Sequence, residues 1–322
     1  MRAMRVHATG GPEALGLEEV PAPTPGPGQV QVRVAAIGLN YIETYQRTGL
    51  YRLDLPFIPG AEFAGTIEAL GPGVSGWAVG DRVATAAGIG GYAELALAPA
   101  DKLVRVPDGV ALKLAAALLL QGMTAHYLAY STFPLKPGHT CVVTAAAGGV
   151  GLLLVQIARA CGAQVIGLVG SEAKAALARD AGAAEVILYM REPFAPRVRA
   201  LTGGRGADVV YDSVGASTFE GSLDSLCPRG MLVSFGNASG PVPQFSPLTL
   251  SAKGSLFLTR PTLGHYVATA EELAWRSGDL FTWLAAGSLT VRVDREFPLE
   301  QAADAHRALE SRQTAGKVLI VP

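Results

Sequence analysis

Residues 140–162 limit the fold more than any other part of the chain. A buried-strand run, Thr140-Cys-Val-Val-Thr144, leads into an apolar stretch of helical character over 150–161, with Gly162 placed to end it. Between them lies Ala146-Ala147-Gly148-Gly149-Val150-Gly151. This is the G-x-G-x-x-G dinucleotide fingerprint with alanine in the first place. Gly148 would let the backbone approach a pyrophosphate, and Gly151 would let the helix lie close on the strand. The helix N-terminus, with its unpaired amides, would face the phosphate charge. Turns of this kind also arise for packing alone, so the surrounding pattern has to decide.

That pattern is strand–helix alternation. Strands are predicted at 164–169, 185–188, 207–212, 231–235 and 255–258, with a helix over 171–181 started by Ser171 and stopped by Gly182. Such alternation argues a parallel, doubly wound sheet, hence an α/β fold of Rossmann type. The first third is different. Short strand candidates at 30–34, 65–70, 81–84 and 92–97 are separated by glycine- and proline-rich turns, which fits a small barrel or sandwich. An alanine-rich helix is predicted over 111–127. Beyond Pro261 the alternation fades, and 290–322 reads as strands with one helix. With 322 residues, two domains are expected, or one domain inserted in another.

Composition excludes several classes of function. Hydrophobic residues make up 49% and charged residues 16%, which rules out disorder. Lysine and arginine (26) balance aspartate and glutamate (27), so no electrostatic footprint for nucleic acid exists. Cys141, Cys161 and Cys227 form neither a disulfide framework nor a metal-ligand spacing, and no apolar leader follows the N-terminus. The apolar run 141–158 is broken by Thr144, Gln156 and the glycines, and reads as strand, turn and helix rather than as a membrane span. A soluble, cytoplasmic protein is expected. No lysine precedes Ser or Thr, which removes a Walker A loop. The five histidines form no HExxH pair, and no G-x-S-x-G elbow exists.

The end of the second strand bears on the choice of dinucleotide. An NAD-binding unit places an acid there for the ribose hydroxyls. Here Gly170 and Ser171 stand at that point, with Lys174 one turn on, a hydroxyl and an ammonium that suit a 2′-phosphate. Glu172 is a contrary signal, although it also suits the helix N-terminus. NADPH is the predicted cofactor.

Several stretches together resemble the zinc-free, zeta-crystallin-like NADPH:quinone oxidoreductases of the medium-chain dehydrogenase/reductase superfamily. They are Ile37-Gly-Leu-Asn-Tyr-Ile-Glu-Thr-Tyr45, Gly60-Ala-Glu-Phe-Ala-Gly65, 145–151, Tyr211-Asp-Ser-Val-Gly215, Phe235-Gly-Asn237 and Thr259-Arg-Pro261. The resemblance runs over essentially the whole chain. It implies a GroES-like catalytic domain (1–123 and 264–322) into which a Rossmann NADPH-binding domain (124–263) is inserted. It also implies a homodimer paired through the 255–258 strand, an exposed edge. In the zinc-bearing branch the position of Asn40 is a cysteine ligand and that of Ala61 a histidine ligand. An amide and a methyl group replace neither, so no metal is expected.

Carried over by position, Asn40 and Tyr45 lie at the nicotinamide end, with Tyr51 further out, and these three are the catalytic candidates. Thr124 and Tyr127 are helix contacts of the cofactor. Gly148, Gly149 and Val150 take the pyrophosphate, while Gly170, Ser171, Lys174 and Tyr189 surround the adenosine phosphate. Phe235, Asn237, Arg260 and Arg312 close over the cofactor. Bland readings stand beside these: ion pairing for the arginines, strand capping for Tyr189, core packing for Tyr45 and Tyr51. The activity implied is metal-free reduction of quinones by NADPH. One alternative is reduction of an enal or enone double bond on the same fold, with a tyrosine as proton donor. Another is a non-catalytic role, structural or RNA-binding, against which the neutral charge balance argues.

Overall fold

The computed structural model describes all residues, 1–322. It divides into two compact units, Met1–Gln121 with Val267–Pro322, and Gly122–Tyr266.

The first unit opens with a two-stranded ribbon, β1 (Arg2–Val6) and β2 (Leu15–Glu19), paired antiparallel. Next come β3 (Gln29–Leu39), the short helix α1 (Tyr41–Arg47), and strands β4 (Phe63–Leu70), β5 (Arg82–Thr85), β6 (Leu95–Pro99) and β7 (Val104–Arg105). The eleven-residue β3 is the spine of the sheet and pairs antiparallel with β4 and β6. Its register with β4 shifts twice, at Gln31/Val32 and Val34/Ala36, which bends the strand around the core. Val30, Val32, Ile37, Phe63, Ile67 and Val83 fill that core. The sequence places a strand at 92–97, but it runs over Leu95–Pro99. Tyr92 instead lies fully buried, its hydroxyl 3.0 Å from His306 Nε2. Helix α2 (Leu112–Tyr127) follows, and the two units meet along the chain between its residues Gln121 and Gly122.

The second unit is a six-stranded parallel sheet. Its strands are β8 (Thr140–Val143), β9 (Gln164–Val169), β10 (Glu185–Leu188), β11 (Ala207–Asp212), β12 (Leu226–Ser234) and β13 (Phe257–Thr259), in the order β10-β9-β8-β11-β12-β13. Helices α3 (Gly149–Ala160), α4 (Glu172–Ala181), α5 (Phe194–Leu201), α6 (Phe219–Asp224), α7 (Leu248–Ala252) and α8 (Leu263–Tyr266) complete it. Every residue of β8 is buried, as expected of a parallel strand covered on both faces. Ser171 caps α4 by accepting from the Lys174 amide, and Gly182 ends the helix at φ +112°. The expected strand at 255–258 is corrected to Phe257–Thr259. Ser255 sits at φ +56°, in the left-handed region, and cannot continue a strand. No helix is long and apolar enough to cross a membrane.

The chain then returns to the first unit through α9 (Ala270–Ala285), β14 (Val293–Pro298), α10 (Ala302–Glu310) and β15 (Lys317–Val321). The sequence reading passed over the sixteen-residue α9, although Thr269 and Glu272 form its capping box. Strand β15 pairs antiparallel with β3, opposite Ile37–Leu39, and parallel with β14. The tail is thus built into the sheet, and its first residue, Lys317, lies beside the strand that leads to Asn40.

Candidate functional site

In the parallel sheet, β8 is flanked by β9 on one side and β11 on the other. Connections run outward in both directions from this pair, which makes β8/β11 the topological switch point where open α/β sheets bind ligands beyond their carboxyl ends. The glycine-rich turn follows β8 here. Gly148 is the N-cap of α3 and supplies no side chain to its own helix, and Gly148, Gly149 and Val150 are each half-exposed. A Cβ on Gly148 would meet the Ala145 carbonyl oxygen at 3.1 Å, and one on Gly151 would meet it at 2.2 Å. The Gly148 amide donates to Ala145 O at 2.7 Å, so the amides that the turn offers a pyrophosphate are those of Gly149 and Val150, at the start of α3. Beside it, the buried Asp212 carboxylate accepts from the amides of Val214 and Gly215 and from the hydroxyls of Thr218 and Ser222. Thr144 Oγ1 accepts from the Ser213 amide and ties the two strand ends together.

One strand further out, Gly170 and Ser171 are exposed at the end of β9, and Lys174 is half-buried on the first turn of α4. Val169 and Leu188 are register partners, so the ends of β9 and β10 lie side by side. Tyr189, just beyond β10, is half-buried and packs against the core of this unit. Phe235 and Asn237 follow β12, and Arg260 follows β13, where it is exposed. Gly148–Val150, Gly170–Lys174, Tyr189, Phe235, Asn237 and Arg260 therefore stand along the carboxyl edge of one sheet. Thr124 is buried in α2, and Tyr127 is buried with its ring stacked on Tyr266 at 4.3 Å between centroids.

Asn40, Tyr45, Tyr51 and Arg312 belong to the first unit. Tyr45 is half-buried on α1, and its ring meets that of Tyr51 edge-on at 5.3 Å. Tyr51 is 38% exposed, so neither ring belongs to the core, contrary to the usual fate of aromatics in small β domains. Arg312 is exposed, at φ +58° just after α10.

Asn40 is surrounded in a way the sequence did not suggest. Its Nδ2 donates to Gly38 O (2.9 Å) and Glu62 Oε2 (2.8 Å), and its Oδ1 accepts from Lys317 Nζ (2.8 Å) and Gln121 Nε2 (3.3 Å). An asparagine amide has two donor hydrogens and two acceptor lone pairs, and all four are engaged within the protein. Lys317 is 1% exposed and also donates to Glu62 Oε2 at 2.6 Å, while Glu62 Oε1 accepts from the Leu120 amide. Glu43 lies next to this cluster, also fully buried, and accepts from the amides of Asn40 and Ala61. Sequence reasoning missed Glu62, Lys317 and Glu43. A weak signal existed, since Glu43 and Glu62 lie in the quoted 37–45 and 60–65 stretches and Lys317 is the lone charge opening an apolar strand.

Two family models match this chain, an alcohol dehydrogenase GroES-like domain over residues 26–108 and a zinc-binding dehydrogenase domain over 149–274. A quinone oxidoreductase of Pseudomonas aeruginosa is 49% identical over 317 residues, 98% of each chain. A 2-haloacrylate reductase of a Burkholderia species is 43% identical, again over 98% of each. The crystal structure of Escherichia coli quinone oxidoreductase complexed with NADPH superposes with a TM-score of 0.98 at 43% identity, covering both chains fully. The chain belongs to the quinone oxidoreductase family. Through it, the chain is a member of the medium-chain dehydrogenase/reductase superfamily, and its α/β fold combines a GroES-like and a Rossmann domain. The name of the second family model refers to zinc, yet no group of three or more His, Cys, Asp or Glu side chains is placed to hold a metal ion.

The buried cluster makes stability depend on pH in a defined direction. Burial pushes the Glu43 carboxyl up to about 7, against the pull of Lys317 and the amides of Asn40 and Ala61. The folded state therefore holds a proton that the unfolded chain releases near 4.5. The stabilisation from that proton is complete below pH 4.5 and is lost as pH rises through 7. His306, buried against Arg47 and lowered to about 3, acts with the opposite slope at acid pH, so the comparison must be with a variant. Glu43→Gln is expected to remove about 2–3 kcal/mol of stability loss between pH 5 and 8 relative to the parent. Denaturant titrations at pH 5, 6.5 and 8 check this; parallel profiles for parent and variant would show that Glu43 stays ionised.

Proposed function

We propose that this chain is a metal-free, NADPH-dependent reductase whose acceptor is a quinone. The observation that carries the reading is the Asn40–Glu62–Lys317 cluster. At Asn40, where the zinc-bearing branch has a cysteine ligand, the amide is fully engaged and a buried ammonium stands 2.8 Å away. The Lys317 ammonium is paired with Glu62, and together with Gln121 and Gly38 they use every hydrogen-bonding site of the Asn40 amide, so a Lewis acid to polarise an alcohol or ketone has no ligand at this position. An acceptor that takes electrons readily without one is required, and quinones meet that requirement.

When bound, NADPH supplies the reducing equivalents; the protein's part is to bind, orient and exclude water. The amides of Gly149 and Val150 hold the pyrophosphate, with Gly148 allowing its close approach, and the exposed Gly170–Ser171 corner with Lys174 takes the 2′-phosphate. Tyr189 borders the adenosine. Phe235, Asn237, Arg260 and Arg312 complete the cofactor contacts, with Thr124 and Tyr127 on α2. The superposition with the NADPH complex of the Escherichia coli protein supports this choice of cofactor. The paired rings of Tyr45 and Tyr51 offer a flat quinone an aromatic surface. For Asn40, named above as a catalytic candidate at the nicotinamide end, a positioning role is the reading we favour. With its amide engaged on all four sides, it positions the start of α1 and thereby Tyr45.

Edge strand β13 exposes Phe257, and Leu248 of α7 is more exposed still, which suits a homodimer paired through this edge. The three cysteines are unpaired, and the cytoplasm is the compartment we assign.

A second reading is reduction of a conjugated carbon–carbon double bond, favoured by the 43% identity to a 2-haloacrylate reductase. The two readings differ in their need for a proton. A reduced quinone leaves as an anion and is protonated by water, whereas an enolate must be protonated at carbon, normally by a nearby acid. Tyr45→Phe, alone and with Tyr51→Phe, is expected to lower turnover less than about tenfold, under ~1.4 kcal/mol. A loss of about 10²–10⁴ would make a tyrosine the essential acid and favour double-bond reduction.

A further inference from the structure

The corner at which the dinucleotide's 2′-phosphate is assigned contains a carboxylate, Glu172, that should repel it. The structure shows what holds that carboxylate. Arg191 Nη1 donates to Glu172 Oε1 at 3.0 Å across the ends of two neighbouring strands. The chain turns just after β10, with the Arg191 amide donating to Leu188 O at 2.8 Å, and this brings residues 189–191 back beside β9. Met190 lies so close to Gly170 that a Cβ on the glycine would meet its Cγ at 3.8 Å. Arg191 and Glu172 are both mostly exposed, so their ion pair is weak and readily exchanged.

We propose that Arg191 is a specificity-determining residue for NADPH, held in place by Glu172 until a 2′-phosphate displaces the carboxylate. The inference rests on the NADPH reading given above and goes beyond it in naming a residue and an exchange. A guanidinium binds a phosphate dianion better than a single carboxylate, with two parallel donors matched to two oxygens. NADH brings a neutral ribose hydroxyl to the same place and gains nothing by the exchange. Glu172 thus has two roles of opposite sign. It aims Arg191 at the corner, and it competes with the ligand for it. An acid just past the second strand, ordinarily a mark of NAD, is converted into a component of an NADP site by a cation from the third.

The test is direct binding, by fluorescence titration with NADPH and NADH, of the full chain and three variants: Arg191→Ala, Glu172→Gln and Lys174→Ala. Both residues of the pair are exposed, so folding is not at stake, and circular dichroism confirms it. Arg191→Ala is expected to weaken NADPH about tenfold and to leave NADH within about twofold. Glu172→Gln is expected to tighten NADPH about two- to threefold, with NADH unchanged, because the competitor is gone. If Lys174→Ala weakens NADPH selectively while Arg191→Ala changes neither nucleotide, or both equally, the inference about Arg191 is overturned and the cofactor reading stands. If the parent itself does not prefer NADPH and Lys174→Ala is also silent, both are overturned.

Discussion

Lys317→Met is expected to destabilise the protein by about 3–5 kcal/mol, the usual cost of removing one partner from a buried ion pair. Glu62 is fully buried and has Lys317 as its only cationic partner. Methionine fills much the same volume, so packing is nearly conserved and the effect reports the charge. The Glu62 carboxylate keeps the Asn40 amide and the Leu120 N–H as donors but loses its cation. Taking roughly 2–4 °C per kcal/mol, the melting temperature should fall by about 10 °C. Because Asn40 Oδ1 also loses a donor, the corner that carries Tyr45 loosens, and turnover should fall together with stability. The double variant Lys317→Met/Glu62→Gln should recover part of the loss, since no unpaired charge remains. A melting temperature within about 2 °C of the parent for the single variant would mean that the buried Glu62 does not depend on Lys317 for its place in the fold.

Gly151→Ala is expected to weaken NADPH binding on the order of a hundredfold (~2.7 kcal/mol). The added Cβ would lie 2.2 Å from the Ala145 carbonyl oxygen and 2.9 Å from Ala146 Cα. Those are backbone atoms at the end of a central strand, where the Ala146 amide donates to Leu168 O, so they cannot give way. Helix α3 must move off β8 instead, taking with it the amides of Gly149 and Val150. Overpacking of this kind also costs about 1–3 kcal/mol of stability. Gly148→Ala is the control, because its Cβ meets the same oxygen at 3.1 Å, a contact that a small shift relieves. Isothermal titration with NADPH compares the two, and equal losses for both variants would show that helix–strand approach is not what the third glycine provides.

How far the sequence could be read depended on how local the information was. The glycine-rich turn, the cap Ser171 and the stop Gly182 each act within a few residues, and each was visible as a spacing. Helix α9 was equally local and still missed, because its polar face hides the apolar period and its capping box at Thr269 was passed over. Ser255 was placed in a strand because its neighbours are apolar. Its left-handed backbone follows from the preceding turn, where the Gly254 carbonyl accepts from the Arg229 amide. The cluster at Asn40 was not legible at all. Lys317 meets Glu62 across 255 residues of sequence, and nothing near either residue signals the other. By resemblance Asn40 was placed at the nicotinamide end, with no sign in the sequence of the partners around its amide. Only the fold shows that its four hydrogen bonds are already made within the protein, which is the ground for the positioning role proposed for it. The pairing of Glu172 with Arg191 was hidden in the same way, since it depends on β9 and β10 lying side by side.

The central claim, a reductase that passes electrons from NADPH to quinones without metal, is tested most directly by following NADPH oxidation at 340 nm. The chelator-treated protein is offered ortho- and para-quinones, enals and enones, and in the reverse direction alcohols with NADP⁺. The account predicts rapid turnover with quinones, unchanged by added zinc, and none with alcohols. Activity that appears only when zinc is restored, or turnover of enals with none of quinones, would contradict it.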